Sequence, residues 1–153
     1  EAKVHYRQAG AFAPAREKMS KPMTKEDIAG SKLDNLLRAG EYDKVITSVD
    51  SMIEASPALA AHNRAFLLYC AGRASFEKGS YRSAAERFRG ILALSLQENT
   101  WLLPHAAYRL GLSHLKLNDK PAAKQTFEKA LSYSKYDNED ALRQQLEREL
   151  DKL

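Results

Sequence analysis

One pattern recurs three times in this chain at a single fixed step, the step that carries Gly40 to Gly79 and Gly79 to Asn118. A chain built that way is constrained to fold as a stack of like units, because each unit alone leaves open a face that its neighbour must cover. Gly40-Glu41-Tyr42 is followed by Gly79-Ser80-Tyr81 and then by Asn118-Asp119-Lys120. In the same register stand Val45, Ala84 and Ala123; Val49, Phe88 and Phe127; and Ile53, Leu92 and Leu131. Upstream of each turn fall Leu33, Gly72 and Gly111, and Leu37, Phe76 and Leu115.

The spacing within each unit is that of a helix, a tight turn and a second helix. Gly or Asn at the turn suits the left-handed backbone that ends a helix. Gly72 and Gly111 are expected to let the second helix approach closely, with Ala84 and Ala123 doing the same from the other side. Phe88 and Phe127, four residues on, then fill the space beyond.

The 153 residues suffice for one core-burying array, and sparse Gly and Pro (7 and 5) fit a helical rather than an all-β or disordered chain. The net charge of +4 comes from interspersed acids and bases, so acidic partners are only mildly favoured. A single cysteine, Cys70, excludes an internal disulfide framework and favours a reducing compartment such as the cytoplasm. No stretch approaches the roughly 20 apolar residues that span a bilayer.

The columns resemble those of the tetratricopeptide-repeat (TPR) family over residues 24 to 135. The best unit runs Ala107-Tyr108-Arg109-Leu110-Gly111, then Ala123, Phe127, Ala130 and Leu131; the middle unit offers Ala71-Gly72, Gly79, Tyr81, Ala84, Phe88 and Ile91-Leu92. In the first unit Leu33 replaces the small glycine. The usual TPR period is about 34 residues. The step from Gly40 to Gly79 is longer, and the extra residues are expected to lengthen the second helix and the connection around Ser95 to Leu103. The C-terminal third, from Leu102-Leu103-Pro104 to Tyr136-Asp137-Asn138-Glu139 and Leu142, is also similar to the end of the inclusion-body-clearance proteins and their animal TPR relatives.

The resemblance implies an all-α, right-handed TPR-like solenoid of about three helix-turn-helix units. Residues 1–23 read as an arm or truncated helix ahead of a repeat domain over 24–153. Thr24 is expected to start the first helix, Ser56-Pro57 the first helix of the middle unit, Pro104 that of the third and Pro121 its second helix. Asp137 or Asn138 should cap a final helix, 138–153, with Leu142, Leu146, Leu150 and Leu153 along its inner side.

Catalysis finds little footing. His114 beside Ser113 occupies a column shared with Leu36 and Ser75 and has no acid to orient it; the Glu139-Asp140 pair belongs to a helix start. His5, His62, His105, His114 and Cys70 never fall at a ligand spacing, so no metal or cofactor is indicated. The cluster Lys78, Arg82, Arg87 and Arg89 is interrupted by Glu77 and Glu86 and reads as solvated outer-face charge, which disfavours nucleic acid.

By family geometry the first helices line a concave groove. Phe66, Tyr69 and Arg73 from the middle unit, with His105, Tyr108, Arg109 and Leu112 from the third, are then the candidate partner-binding residues. Tyr69 and Tyr108, and likewise Phe66 and His105, are expected to stack along adjacent helices, where the tyrosines either contact a partner or simply pack between units, and the arginines are expected to serve a carboxylate rather than the core. A chaperone-type carboxylate clamp is disfavoured, since Gly30 and Asp34 stand at its first positions. The expected function is a non-catalytic protein-interaction scaffold for a peptide or helix, with preference for an acidic segment that carries an apolar anchor. The alternative is a structural subunit whose groove is permanently filled.

Overall fold

A computed structural model describes residues 25–97 and 100–153. The N-terminal arm, 1–23, and the Thr24 cap lie outside the described residues. Seven helices are found among the described residues: α1 (Lys25–Arg38), α2 (Tyr42–Ala55), α3 (Ala61–Glu77), α4 (Tyr81–Leu92), α5 (Leu102–Lys116), α6 (Lys120–Leu131) and α7 (Glu139–Asp151). No strand occurs among the described residues. The chain divides into two units, Glu1–Lys32 and Leu33–Leu153. In the first, the described residues form the opening of α1, where Ile28 is exposed.

From α2 onward each helix packs against the next in sequence. The turns between α1 and α2, α3 and α4, and α5 and α6 share one construction. Gly40, Gly79 and Asn118 all have positive φ, of 75°, 88° and 60°. After each, a backbone N–H reaches back across the helix end: Glu41 to the Leu36 carbonyl, Ser80 to Ser75 and Asp119 to His114, at 3.0, 2.8 and 2.9 Å. The turn residue itself bonds Leu37, Phe76 or Leu115. This Schellman pairing satisfies carbonyls that a helix end would otherwise strand. α2, α4 and α6 accordingly start in register, at Tyr42, Tyr81 and Lys120. Asp119 adds a side-chain cap to Ala122 N–H at 3.1 Å, and Pro121 sits in the first turn of α6.

Close approach within each pair follows from the glycines. A Cβ placed on Gly72 would lie 2.6 Å from the Phe88 ring, and one on Gly111 would lie closer still to Phe127. Both rings are fully buried. In the α1–α2 pair Leu33 replaces the glycine and Val49 replaces the phenylalanine, and both are buried in one cluster. The bulk is shared between the two helices instead of standing on one.

Three core clusters run along the stack, and α3 and α5 each serve two of them. α3 gives Leu67, Cys70, Ala71 and Ala74 to the cluster with α1 and α2, and Ala65 and Tyr69 to the one with α4 and α5. α5 gives Leu102, Ala106 and Leu110 to that middle cluster and Ala107 to the last one. In the last cluster Leu142 and Leu146 of α7 cover α6, while Arg143 donates to the Leu131 carbonyl at 3.0 Å and closes the end of α6.

Four local expectations need correction. Ser56-Pro57 does not start a helix. Ser56 ends α2 with its N–H on the Ile53 carbonyl, its backbone lies outside the helical region that a following proline disfavours, and α3 begins at Ala61. The extra residues of the middle unit lengthen the connection after Leu92 and not α4 itself, which has 12 residues like α6. Asn138 occupies the N-cap of α7 but in left-handed backbone, and its side chain makes no cap hydrogen bond; Glu139 accepts from Lys135 N–H at 3.2 Å. Leu153 lies past the end of α7 and is exposed.

Two outcomes test this packing. Phe127→Ala should cost about 3–5 kcal/mol. Gly111→Ala should also destabilise, because overpacking of about 1–3 kcal/mol outweighs the better helix propensity of alanine, about 1 kcal/mol. In a denaturant-unfolding cycle the double variant should cost less than the sum of the two, since Phe127→Ala removes the ring that the new methyl collides with and the methyl fills part of the space the ring leaves. Deleting residues 138–153 should uncover the α6 side of the last cluster, lower the thermal midpoint and promote association visible by size-exclusion chromatography.

Candidate functional site

The candidate residues lie on α3 and α5, which are placed side by side because each packs against α4. Tyr69 is 7% exposed and therefore a core residue. Its ring meets Phe88 edge-on with centroids 5.9 Å apart, and Tyr108 meets Phe127 at 6.1 Å. The two tyrosines thus make matching contacts, each to the phenylalanine of its own helix pair. They do not stack on one another, and Phe66 and His105 make no ring contact with each other either.

The guanidinium of Arg109 joins the two helices instead. Its Nε donates to the Tyr69 hydroxyl at 2.9 Å, and its carbon lies 5.7 Å from the Tyr69 ring centroid. One cation thus gives the buried phenol a hydrogen-bond partner and lies against its π-face. Arg109 therefore has a structural role that its sequence position does not reveal.

An aromatic row runs on from this junction. Trp101 meets Tyr69 at 5.1 Å and His105 at 5.8 Å, and His105 meets Tyr136 at 6.4 Å. Trp101 and Tyr136 were not among the sequence candidates, because each stands outside the repeating columns and has no Phe, Tyr or Trp counterpart in a neighbouring unit. Burial, reinforced by Arg109, lowers the His105 pKa and favours neutral imidazole. Burial also raises the Tyr108 pKa, with Glu149 of α7 adding to the effect. The Tyr136 hydroxyl is buried without a hydrogen-bond partner.

Arg73 sits one turn beyond Tyr69 and is half-buried. Its Nε is shut off from solvent and has no hydrogen-bond partner. Asp34, which holds the same column in the first unit, is held by Arg38 at 2.9 Å. Next to Arg73, burial pushes the Cys70 thiol up to about 11, a value that Arg73 only partly offsets. Such a thiol is a packing residue and a poor nucleophile. Phe66 packs partly into the cluster with α1 and α2, while Tyr108 and Leu112 pack partly into the one with α6 and α7. The seven candidates are thus divided: Tyr69 and Arg109 are committed to each other, and Phe66, Arg73, His105, Tyr108 and Leu112 keep part of their surface open.

Elsewhere, no three His, Cys, Asp or Glu side chains among the described residues come together in a way that could hold a metal. None of the described helices is long and apolar enough to cross a membrane. His114 follows the turn construction, its carbonyl accepting from Asp119, and burial followed by Arg89 lowers its pKa.

Arg109→Ala should destabilise by about 1–3 kcal/mol, because it strands a buried phenol without a partner. Tyr69→Phe in that background should restore much of the loss, and thermal unfolding of the three variants reads the coupling directly. The chain matches no known protein-family model and no curated protein, so what this surface does is read from its geometry.

Proposed function

We propose that the chain is a right-handed TPR-like solenoid and a non-catalytic protein-interaction scaffold, taking a peptide or helix on the groove formed by its first helices. The observation that carries this reading is Arg73. A guanidinium Nε that is cut off from water and has no partner costs the free protein about 1–3 kcal/mol. A ligand carboxylate drawing the side chain outward would let Nε and an Nη donate together, in the fork geometry that suits a carboxylate. Arg109 shows the contrast, since its Nε already has an internal acceptor.

Phe66 on α3, and Tyr108 and Leu112 on α5, are partly open and supply apolar area for an anchor side chain. The preferred ligand is therefore a segment with one carboxylate near an apolar residue. It is bound as peptides bind helical grooves, with the charge setting register and the apolar anchor supplying most of the affinity.

Arg73→Ala removes the unpartnered Nε and should hold or raise the thermal midpoint, while weakening binding of such a segment about tenfold or more, since one charge-assisted pair is lost. Binding to the unchanged protein should weaken as salt is added. Crosslinking mass spectrometry on the full chain identifies the segment, and crosslinks that avoid α3 and α5 altogether would place the interface elsewhere.

A further inference from the structure

On the outer side of the helix pairs, two ion pairs tie α2 to the pair that follows it. Lys78 Nζ donates to Asp43 Oδ1, and Arg87 grips Asp50 with two hydrogen bonds of 2.8 and 3.2 Å. One repeat further along, the same four columns hold different chemistry. Asp43 is replaced by Arg82, Asp50 by Arg89, Lys78 by Leu117 and Arg87 by Thr126.

The second junction is therefore left without its ties. Arg82 and Arg89 are both exposed, and neither side chain has an ion pair or hydrogen bond among the described residues. Glu86, between them on α4, is exposed and pairs with neither. The Thr126 hydroxyl donates to its own helix, at the Ala122 carbonyl, 2.7 Å away. Leu117 is 40% exposed and belongs to none of the three core clusters. Lys116, beside it, lies 5.8 Å from the Tyr81 ring centroid and adds a further cation.

We propose that this outer surface of α4 and the α5–α6 turn docks an acidic protein segment that carries an aliphatic side chain between its carboxylates. Arg82 and Arg89 are seven residues apart on one helix, a rise of about 10.5 Å. On a segment in polyproline-II conformation, carboxylates three residues apart lie on one face about 9 Å apart, so one such segment meets both arginines. The exposed leucine selects a protein partner over a phosphate chain, which offers nothing apolar for Leu117 to cover. The surface is independent of the groove proposed above.

The test titrates the full chain with a fluorescently labelled synthetic peptide holding two glutamates three residues apart and leucine between them. The unchanged protein and Arg73→Ala are both used, the latter to silence the groove. Saturable, salt-sensitive binding to Arg73→Ala is expected. On that background, Arg82→Asp with Leu117→Lys rebuilds the first junction's chemistry across the second, and should weaken binding about tenfold or more while the thermal midpoint holds or rises. Arg82→Glu with Arg89→Glu should weaken it at least as much. The proposal is overturned by absence of binding to Arg73→Ala, by binding indifferent to these changes, or by a fall in the midpoint showing that Leu117 supports the fold. It is equally overturned if an oligothymidylate of matched charge binds more tightly than the peptide, since the surface would then serve phosphates.

Discussion

The fold depends on the contact of a phenylalanine ring with the bare backbone of a glycine on the facing helix. Phe88 over Gly72 and Phe127 over Gly111 leave no room for even one methyl group. Close-packed interiors tolerate neither excess nor missing volume, so this contact fixes how near the two helices of a pair come and how they are rotated. The neighbouring contacts inherit that geometry. Tyr69 and Tyr108 can each reach the ring in their own pair because that ring is already locked in place.

Between pairs the cohesion is of a different kind. α3 and α5 each present apolar residues to two clusters, so the core is continuous along the stack. Polar ties are added only at particular places. Arg109 reaches back to Tyr69 across one junction, and Lys78 and Arg87 reach back to α2 across another. Exposed pairs of the latter sort contribute little stability individually, commonly under about 1 kcal/mol. Their presence at one junction and absence at the next is therefore more informative about what the surface is left free to do than about what holds the fold together.

The same logic separates arginines that look alike in the sequence. Arg109 and Arg87 are used internally, one on a phenol and one on a carboxylate. Arg73, Arg82 and Arg89 lack internal partners, the first on the α3 surface and the others on the outside of α4. A cation without an internal acceptor gives up no native hydrogen bond when a ligand takes it. That is the physical basis for proposing recognition by these three residues.

By itself the sequence determined the helix-turn-helix register. The left-handed turns at Gly40, Gly79 and Asn118, the glycine and phenylalanine columns and the buried side of α7 through Leu142 and Leu146 follow from residue type and spacing alone. These are local or nearest-neighbour constraints, and a column of like residues reports them directly. The α3 start was misread because Ser-Pro signals a helix beginning and a chain reversal with the same residues, and only the backbone bonds of Ser56 distinguish the two. Which arginines are occupied was decided by the tertiary structure. Whether Arg109 finds Tyr69, or Arg73 Nε finds no acceptor, depends on side chains far apart in the chain that the packing of α3, α4 and α5 alone brings into reach. Trp101 and Tyr136 join the site for the same reason: they stand outside every column, and only the folded chain sets them against Tyr69 and His105.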